Sequence, residues 1–218
     1  MVFIRGLILA LSLILVACSQ NATKTQQAEQ KTTYARVDLD GEDFTPLPNP
    51  YTANPRSVPG RAKQEFNQAL AAIKAGKWED AEGILNLMTQ TYPKLSGPYA
   101  NLGIVYTHLE RLDDAQKALE FAISVNEYNM DAYTELGRVL RKQGRFDEAE
   151  ANYQRALLIW PHHIESHRNL GVLYDLYMGR FEDALYHYKF VAKLQQPEPD
   201  KEIRGWIIDL ERRMAENE

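Results

Sequence analysis

The sequence predicts an all-α repeat solenoid, built from antiparallel helix pairs and closed by a C-terminal capping helix. Three observations carry that reading. Leu-Gly recurs at Leu102-Gly103, Leu136-Gly137 and Leu170-Gly171, each pair 34 residues after the one before. Around it a frame returns: Tyr99, Tyr133 and His167 three residues before the Leu, Tyr106, Leu140 and Tyr174 three after the Gly, and Ala81, Ala115, Ala149 and Ala184 further on. Between these positions apolar residues fall three and four apart, the spacing of one helix face. A fixed period of this length marks an architecture in which each unit buries its apolar face against its neighbours.

The chain opens with Met1 to Arg5, carrying one positive charge, followed by the almost purely apolar run Leu7 to Ala17. As a helix that run spans about 16 Å, roughly half a hydrocarbon core, which suits a signal-peptide core better than a membrane span. Leu15-Val16-Ala17-Cys18 follows and resembles the lipobox of bacterial lipoproteins. The resemblance implies removal of residues 1–17 and lipidation of Cys18. Cys18 is the chain's one cysteine and stands where the apolar run stops, so no intrachain disulfide is available. Ser19 after the cysteine resembles the sorting signal for the outer membrane, with the array facing the periplasm. Two or three acyl chains, at ~0.8 kcal/mol per buried methylene, hold such an anchor in place.

Residues 18–61 turn to Gln, Asn, Thr and Pro, with Pro46, Pro48, Pro50, Pro55 and Pro59 close together. So few apolar side chains cannot offset the ordering entropy, and a disordered tether reaching roughly 35 Å is expected. Val37-Asp38-Leu39 and Asp43-Phe44 are its candidate docking motifs, with a solvated tether the favoured reading.

Four units follow at 62–95, 96–129, 130–163 and 164–198. Tyr133, Leu136-Gly137, Leu140, Gly144-Arg145-Phe146, Ala149, Tyr153, Ala156 and Pro161 together resemble the tetratricopeptide repeat. That resemblance implies a right-handed superhelix of helix pairs, with Ala69, Gly103, Gly137 and Gly171 at the close approach of the two helices in each pair. Trp78, Leu112, Phe146 and Phe181 would plug the join of each pair. Gly76 and Gly144 mark turns, and Pro93, Pro161 and Pro197 mark helix ends.

Two departures carry structural expectations. Glu110 stands where other units have Gly, at a cost of ~1 kcal/mol if its φ is positive. The fourth unit holds one extra residue between Tyr174 and Phe181, which predicts a π-bulge or a longer turn. In the last segment, 199–218, Asp200 caps a helix whose Ile203, Trp206, Ile207, Leu210 and Met214 form one stripe. A solenoid needs such a cap to cover its last apolar face, although Trp206 and Ile207 could instead anchor a partner helix.

Composition narrows the function. A net charge of −5 and no Lys/Arg run argue against a nucleic-acid partner. No nucleophile elbow or phosphate loop occurs, so no catalytic residue and no cofactor are expected. His162, His163 and His167 form the one candidate metal or enzymatic cluster, with His163 and His167 on one helix face. Their order is not the metalloprotease H-E-x-x-H, and His167 fills the slot of Tyr99 and Tyr133, so packing is favoured and no metal is expected. The acidic pairs Glu79-Asp80, Asp113-Asp114, Asp147-Glu148 and Glu182-Asp183 belong to first turns of helices, complementing the helix dipole.

What remains is binding. In tetratricopeptide arrays the concave wall is lined by the first helix of each pair. Carried onto this chain, the resemblance implies a groove through Phe66, Leu70, Ile73, Asn101, Ile104 and His108, continuing through Arg138, Arg141, Lys142, Arg168, Asn169 and Val172. Its N-terminal half is apolar and its C-terminal half basic, fitting a peptide with apolar and acidic ends. The expected function is a lipid-anchored scaffold or adaptor that binds envelope proteins in the periplasm. Lipid anchor, tether and array together resemble type IV pilus pilotin lipoproteins and peptidoglycan-hydrolase adaptor lipoproteins. An accessory subunit of an energy-transducing or secretion system fits the same features. Oligomeric state stays open.

Overall fold

The structure is a computed structural model that describes residues 36–39, 45–50 and 57–216, all within one unit, Thr33–Glu218. The leader, Cys18 and the remaining linker lie outside the described residues. Nine α-helices and one π-helical turn make up the described array: α1 Gly60–Lys74, α2 Trp78–Thr91, α3 Ser96–His108, α4 Leu112–Val125, α5 Met130–Lys142, α6 Phe146–Ile159, α7 Ile164–Leu173, the π turn Tyr174–Met178, α8 Phe181–Leu194 and α9 Lys201–Ala215. No strand occurs among the described residues.

The second, third and fourth pairs close at a residue without a β-carbon, and the first at Ala69. A Cβ added at Gly137 would lie 2.5 Å from Cε1 of Tyr153, and one at Gly171 2.4 Å from Cε1 of Tyr188. The tyrosine rings therefore lie flat on the helix backbone, a contact that any larger residue would push apart. Tyr153, Tyr188, Leu119 and Leu85 are fully buried in this way, with Ala81, Ala115, Ala149 and Ala184 beside them.

The first helices of neighbouring pairs, α3 with α5 and α5 with α7, pack directly against each other, whereas the second helices touch marginally at most. Tighter packing on one side bends the stack, so the first helices form its concave wall. Arg111, Arg145 and Arg180 precede α4, α6 and α8 and bind the first-turn acids Asp114, Glu148 and Asp183 at 2.9, 2.6 and 2.5 Å. The same arginines reach back to Glu82, Gln116 and Glu150 of the preceding pair, forming a ladder with the period of the sequence.

Both departures have structural consequences. Glu110 has φ 56°, the left-handed region, as its place in the turn demands. The extra residue of the fourth unit is absorbed as the π turn, after which Gly179 takes φ 63°. The cap forms as the stripe implies: Asp200 Oδ1 accepts the Ile203 N–H at 2.8 Å, Ile203 and Leu210 are buried, and Trp206, Ile207 and Met214 pack on the core.

The segment before α1 departs from the solvated tether expected for residues 18–61. Arg36 pairs with Asp183 and sits over the Tyr186 ring, and the Val37 N–H donates to Tyr186 Oη at 2.9 Å. Further along, the Leu47 N–H donates to His162 Nδ1 at 2.6 Å while Trp160 Nε1–H donates to the Leu47 carbonyl at 3.0 Å. Backbone groups exchanged with aromatic side chains hold these residues, so their low apolar content is no obstacle.

Candidate functional site

The apolar half of the expected groove is uneven. Leu70 is exposed, whereas Phe66, Ile73 and Ile104 are half-buried. Phe66 lines an apolar cavity of about 760 Å³ with Met88, Leu95, Pro98, Tyr128 and Ile159, closed partly by Pro50 and Val58. His108 is exposed but stacked on Trp78, ring centroids 3.9 Å apart. Burial is the main cause that lowers its pKa, helped by Arg138 and Lys142. Asn101 is turned onto its own helix, donating to the Gly97 carbonyl at 2.9 Å.

The basic half is largely paired within the chain. Arg138 Nη1 donates to both oxygens of Glu135 at 2.9 Å. Lys142 pairs with Glu110 at 3.2 Å, and Arg168 is taken by Asp200 at 2.7 Å and Glu202 at 3.2 Å from the cap. Asn169 is buried, its amide donating to the Glu165 carbonyl at 2.8 Å. These four are therefore spoken for by the fold itself. Glu135 responds to burial first: its pKa is raised, against the pull of Arg138.

Arg141 differs from the rest. Among the described residues no carboxylate pairs with it, and its buried Nη1 has no hydrogen-bond partner. Its guanidinium stands 5.6 Å from the Tyr177 ring centroid. Tyr177 and its neighbour Leu176, carried out by the π turn, are 48% and 65% exposed, and Val172 is half-buried beside them on the same helical run. The groove thus ends in an exposed apolar pair next to a cation.

The histidines do not converge. His162 accepts from Leu47, and His163 binds Ser166 Oγ at 2.8 Å through Nδ1 and Asp131 at 3.1 Å through Nε2. His167 Nε2–H donates to the Pro161 carbonyl at 2.9 Å, which leaves its Nδ1 to accept from His187 Nδ1–H at 2.8 Å. Both rings are neutral in that arrangement. Burial lowers His167 to about 3 and drives His187 well below its ordinary value. Among the described residues no group of three metal-ligating side chains is placed to hold a metal. His162, His163 and His167 are thus each engaged with a different partner.

One arrangement escaped sequence reasoning. Asp131, His163 and Ser166 line up as a hydrogen-bonded carboxylate, imidazole and hydroxyl, the types used in nucleophilic catalysis. Ser166 is 0% exposed and its Oγ also meets Thr134 Oγ1 at 2.8 Å, so its hydroxyl is engaged on both sides within the fold. The chain stitches α5 to α7.

Residues 97–129 and 128–194 match the tetratricopeptide repeat. The pair α1–α2 lies outside the matched residues. Over 87 residues the chain is 33% identical to the BBSome complex member BBS4 of Bos taurus, covering 40% of this chain and 16% of that protein. The curated relatives it matches are all much longer, with 14% to 17% of their length aligned. Among solved structures, the thermophilic tetratricopeptide protein TTC0263 of Thermus thermophilus superposes with TM-score 0.62 at 25% identity, over 73% of this chain and 84% of that one. Pseudomonas aeruginosa pilF superposes with TM-score 0.64 at 20% identity, over 71% and 69%. Residues 97–194 carry the tetratricopeptide repeat, and the array shares the fold of these solved structures, one suited to binding other proteins.

Proposed function

We propose that this chain is a membrane-anchored scaffold that binds other envelope proteins in the periplasm through the wall of first helices. The observation that carries the reading is the end of that wall, where Leu176 and Tyr177 stand exposed beside Arg141. A tyrosine beside an arginine is the composition of binding hot spots, and Leu176 adds apolar area around them. Anchoring rests on the sequence: the apolar leader ending in Leu15-Val16-Ala17-Cys18 supports lipidation at Cys18, and Ser19 supports the outer membrane. Assembly of a pilus or secretion complex, or service to an energy-transducing one, would employ the same wall. Isolation of the full chain from membranes with its bound proteins tests the proposal. Defined partners are expected with the unaltered chain and lost with Leu70→Asp plus Leu176→Asp; unchanged recovery removes the groove assignment. Absence of acyl chains on Cys18 in mass spectra of the mature protein removes the anchor.

A further inference from the structure

The two tyrosines that lie on Gly137 and Gly171 end in opposite circumstances. Tyr188 sends its hydroxyl to the residue four beyond its glycine, donating to Asp175 Oδ2 at 3.4 Å, and the other oxygen of Asp175 takes Arg213 of α9 at 2.6 Å. Tyrosine, carboxylate and arginine form a closed unit, with the Asp175 side chain 7% exposed. Tyr153 lies on Gly137 in the same way, and the residue four beyond that glycine is Arg141. Here the tyrosine and the arginine are present and the carboxylate is missing. Tyr153 is 0% exposed, and both its Oη and Arg141 Nη1 are buried without a hydrogen-bond partner. A buried donor left unmatched is costly, and few persist without a reason.

We infer that a side-chain carboxylate from a docked partner completes the unit in the third pair, accepting from Tyr153 Oη and Arg141 as Asp175 accepts from Tyr188 and Arg213. The inference rests on the first-helix wall being the docking face and names the chemistry of what docks there: a Glu or Asp flanked by apolar residues that pack on Leu176 and Tyr177. Charge supports that occupant, because the neighbouring cations Arg138 and Lys142 already have Glu135 and Glu110 while Arg141 has no described carboxylate. Burial raises the Tyr153 pKa and so keeps its hydroxyl a donor. Entry requires the Arg141 guanidinium to swing, and its contact with the Tyr177 ring is a weak restraint beside a charge-assisted hydrogen bond.

The test is titration of the full chain, labelled with ¹³C in its tyrosine rings, with acetyl-Leu-Glu-Leu-amide and acetyl-Leu-Gln-Leu-amide. The Glu peptide is expected to bind at least tenfold more tightly and to shift the Tyr153 resonance, identified by its loss in Tyr153→Phe. Tyr153→Phe should weaken the Glu peptide about tenfold, since a hydrogen bond to a charged group is worth on the order of that factor. Arg141→Gln, at a half-exposed position, should erase the preference for Glu without threatening the fold. Equal binding of the two peptides, or an unmoved Tyr153 resonance, overturns the carboxylate site while leaving the docking face intact. Failure of both peptides to bind overturns both.

Discussion

The third and fourth pairs place the same tyrosine on the same glycine and part company at its hydroxyl. In the fourth, the place four beyond the glycine holds Asp175, within the π turn, and Asp175 ties the array to its cap through Arg213. In the third, the helix runs on regularly and Arg141 stays without a carboxylate. Repetition fixes the apolar contact, and the residue four beyond the glycine decides whether the polar end is closed inside the chain or left to an outside group.

Acid separates the two pairs most strongly. His167 and His187 lie in the fourth pair, and the equivalent places in the third hold Tyr133 and Asn152. Folded, both histidines resist protonation, whereas in the unfolded chain they titrate near 6.5. Below pH 6.5 the unfolded state therefore binds more protons, so stability is complete above that value and falls as pH drops toward about 3. The slope should approach ~1.4 kcal/mol per pH unit for each histidine. Urea melts between pH 7 and 4.5 read it, with His187→Gln expected to cut the slope to about half. Hydrogen exchange should show α7 and α8 opening before α5 and α6, and an acid-independent melt would contradict the neutral pair.

Asp175→Ala takes the buried carboxylate from Arg213 and should cost about 2–3 kcal/mol, below the ~3–5 of a fully buried pair because Arg213 keeps some exposure and its pair with Asp209. Arg141→Ala in the third pair should change stability by no more than ~0.5 kcal/mol. Equal costs would erase the contrast. Gly137→Ala and Gly171→Ala should instead cost alike, about 1–2 kcal/mol, since in each the new methyl meets a buried tyrosine ring while helix propensity returns ~1 kcal/mol. The smallest effect belongs to the second pair: Glu110→Gly should gain up to ~1 kcal/mol by relieving the left-handed φ, less whatever the exposed pair with Lys142 contributes.

Much of the fold is legible in the sequence because period, glycine position and residue count are local. The 34-residue frame gives the pairs, and counting from Tyr174 to Phe181 gives the extra residue that a π turn or a longer turn must absorb. The site was less legible because its partnerships are not periodic. Nothing in the repeat says that Glu135 would turn on Arg138, or that Asp200 and Glu202 would reach back to Arg168. The docking of Arg36, Val37 and Leu47 depends on Tyr186, His162 and Trp160, more than a hundred residues away, so the composition of the segment alone implied a free tether. Asp175 and Arg213 could have been paired from the sequence only by knowing which way the inserted residue points.

Site-specific photocrosslinking in living cells tests the docking wall most directly, with the crosslinker placed at Tyr177 on the wall or at Phe121 on the second helix α4, both about half exposed. A docking wall formed by the first helices predicts adducts with a defined envelope protein from Tyr177 and none from Phe121. Adducts from Phe121 and none from Tyr177 would contradict it.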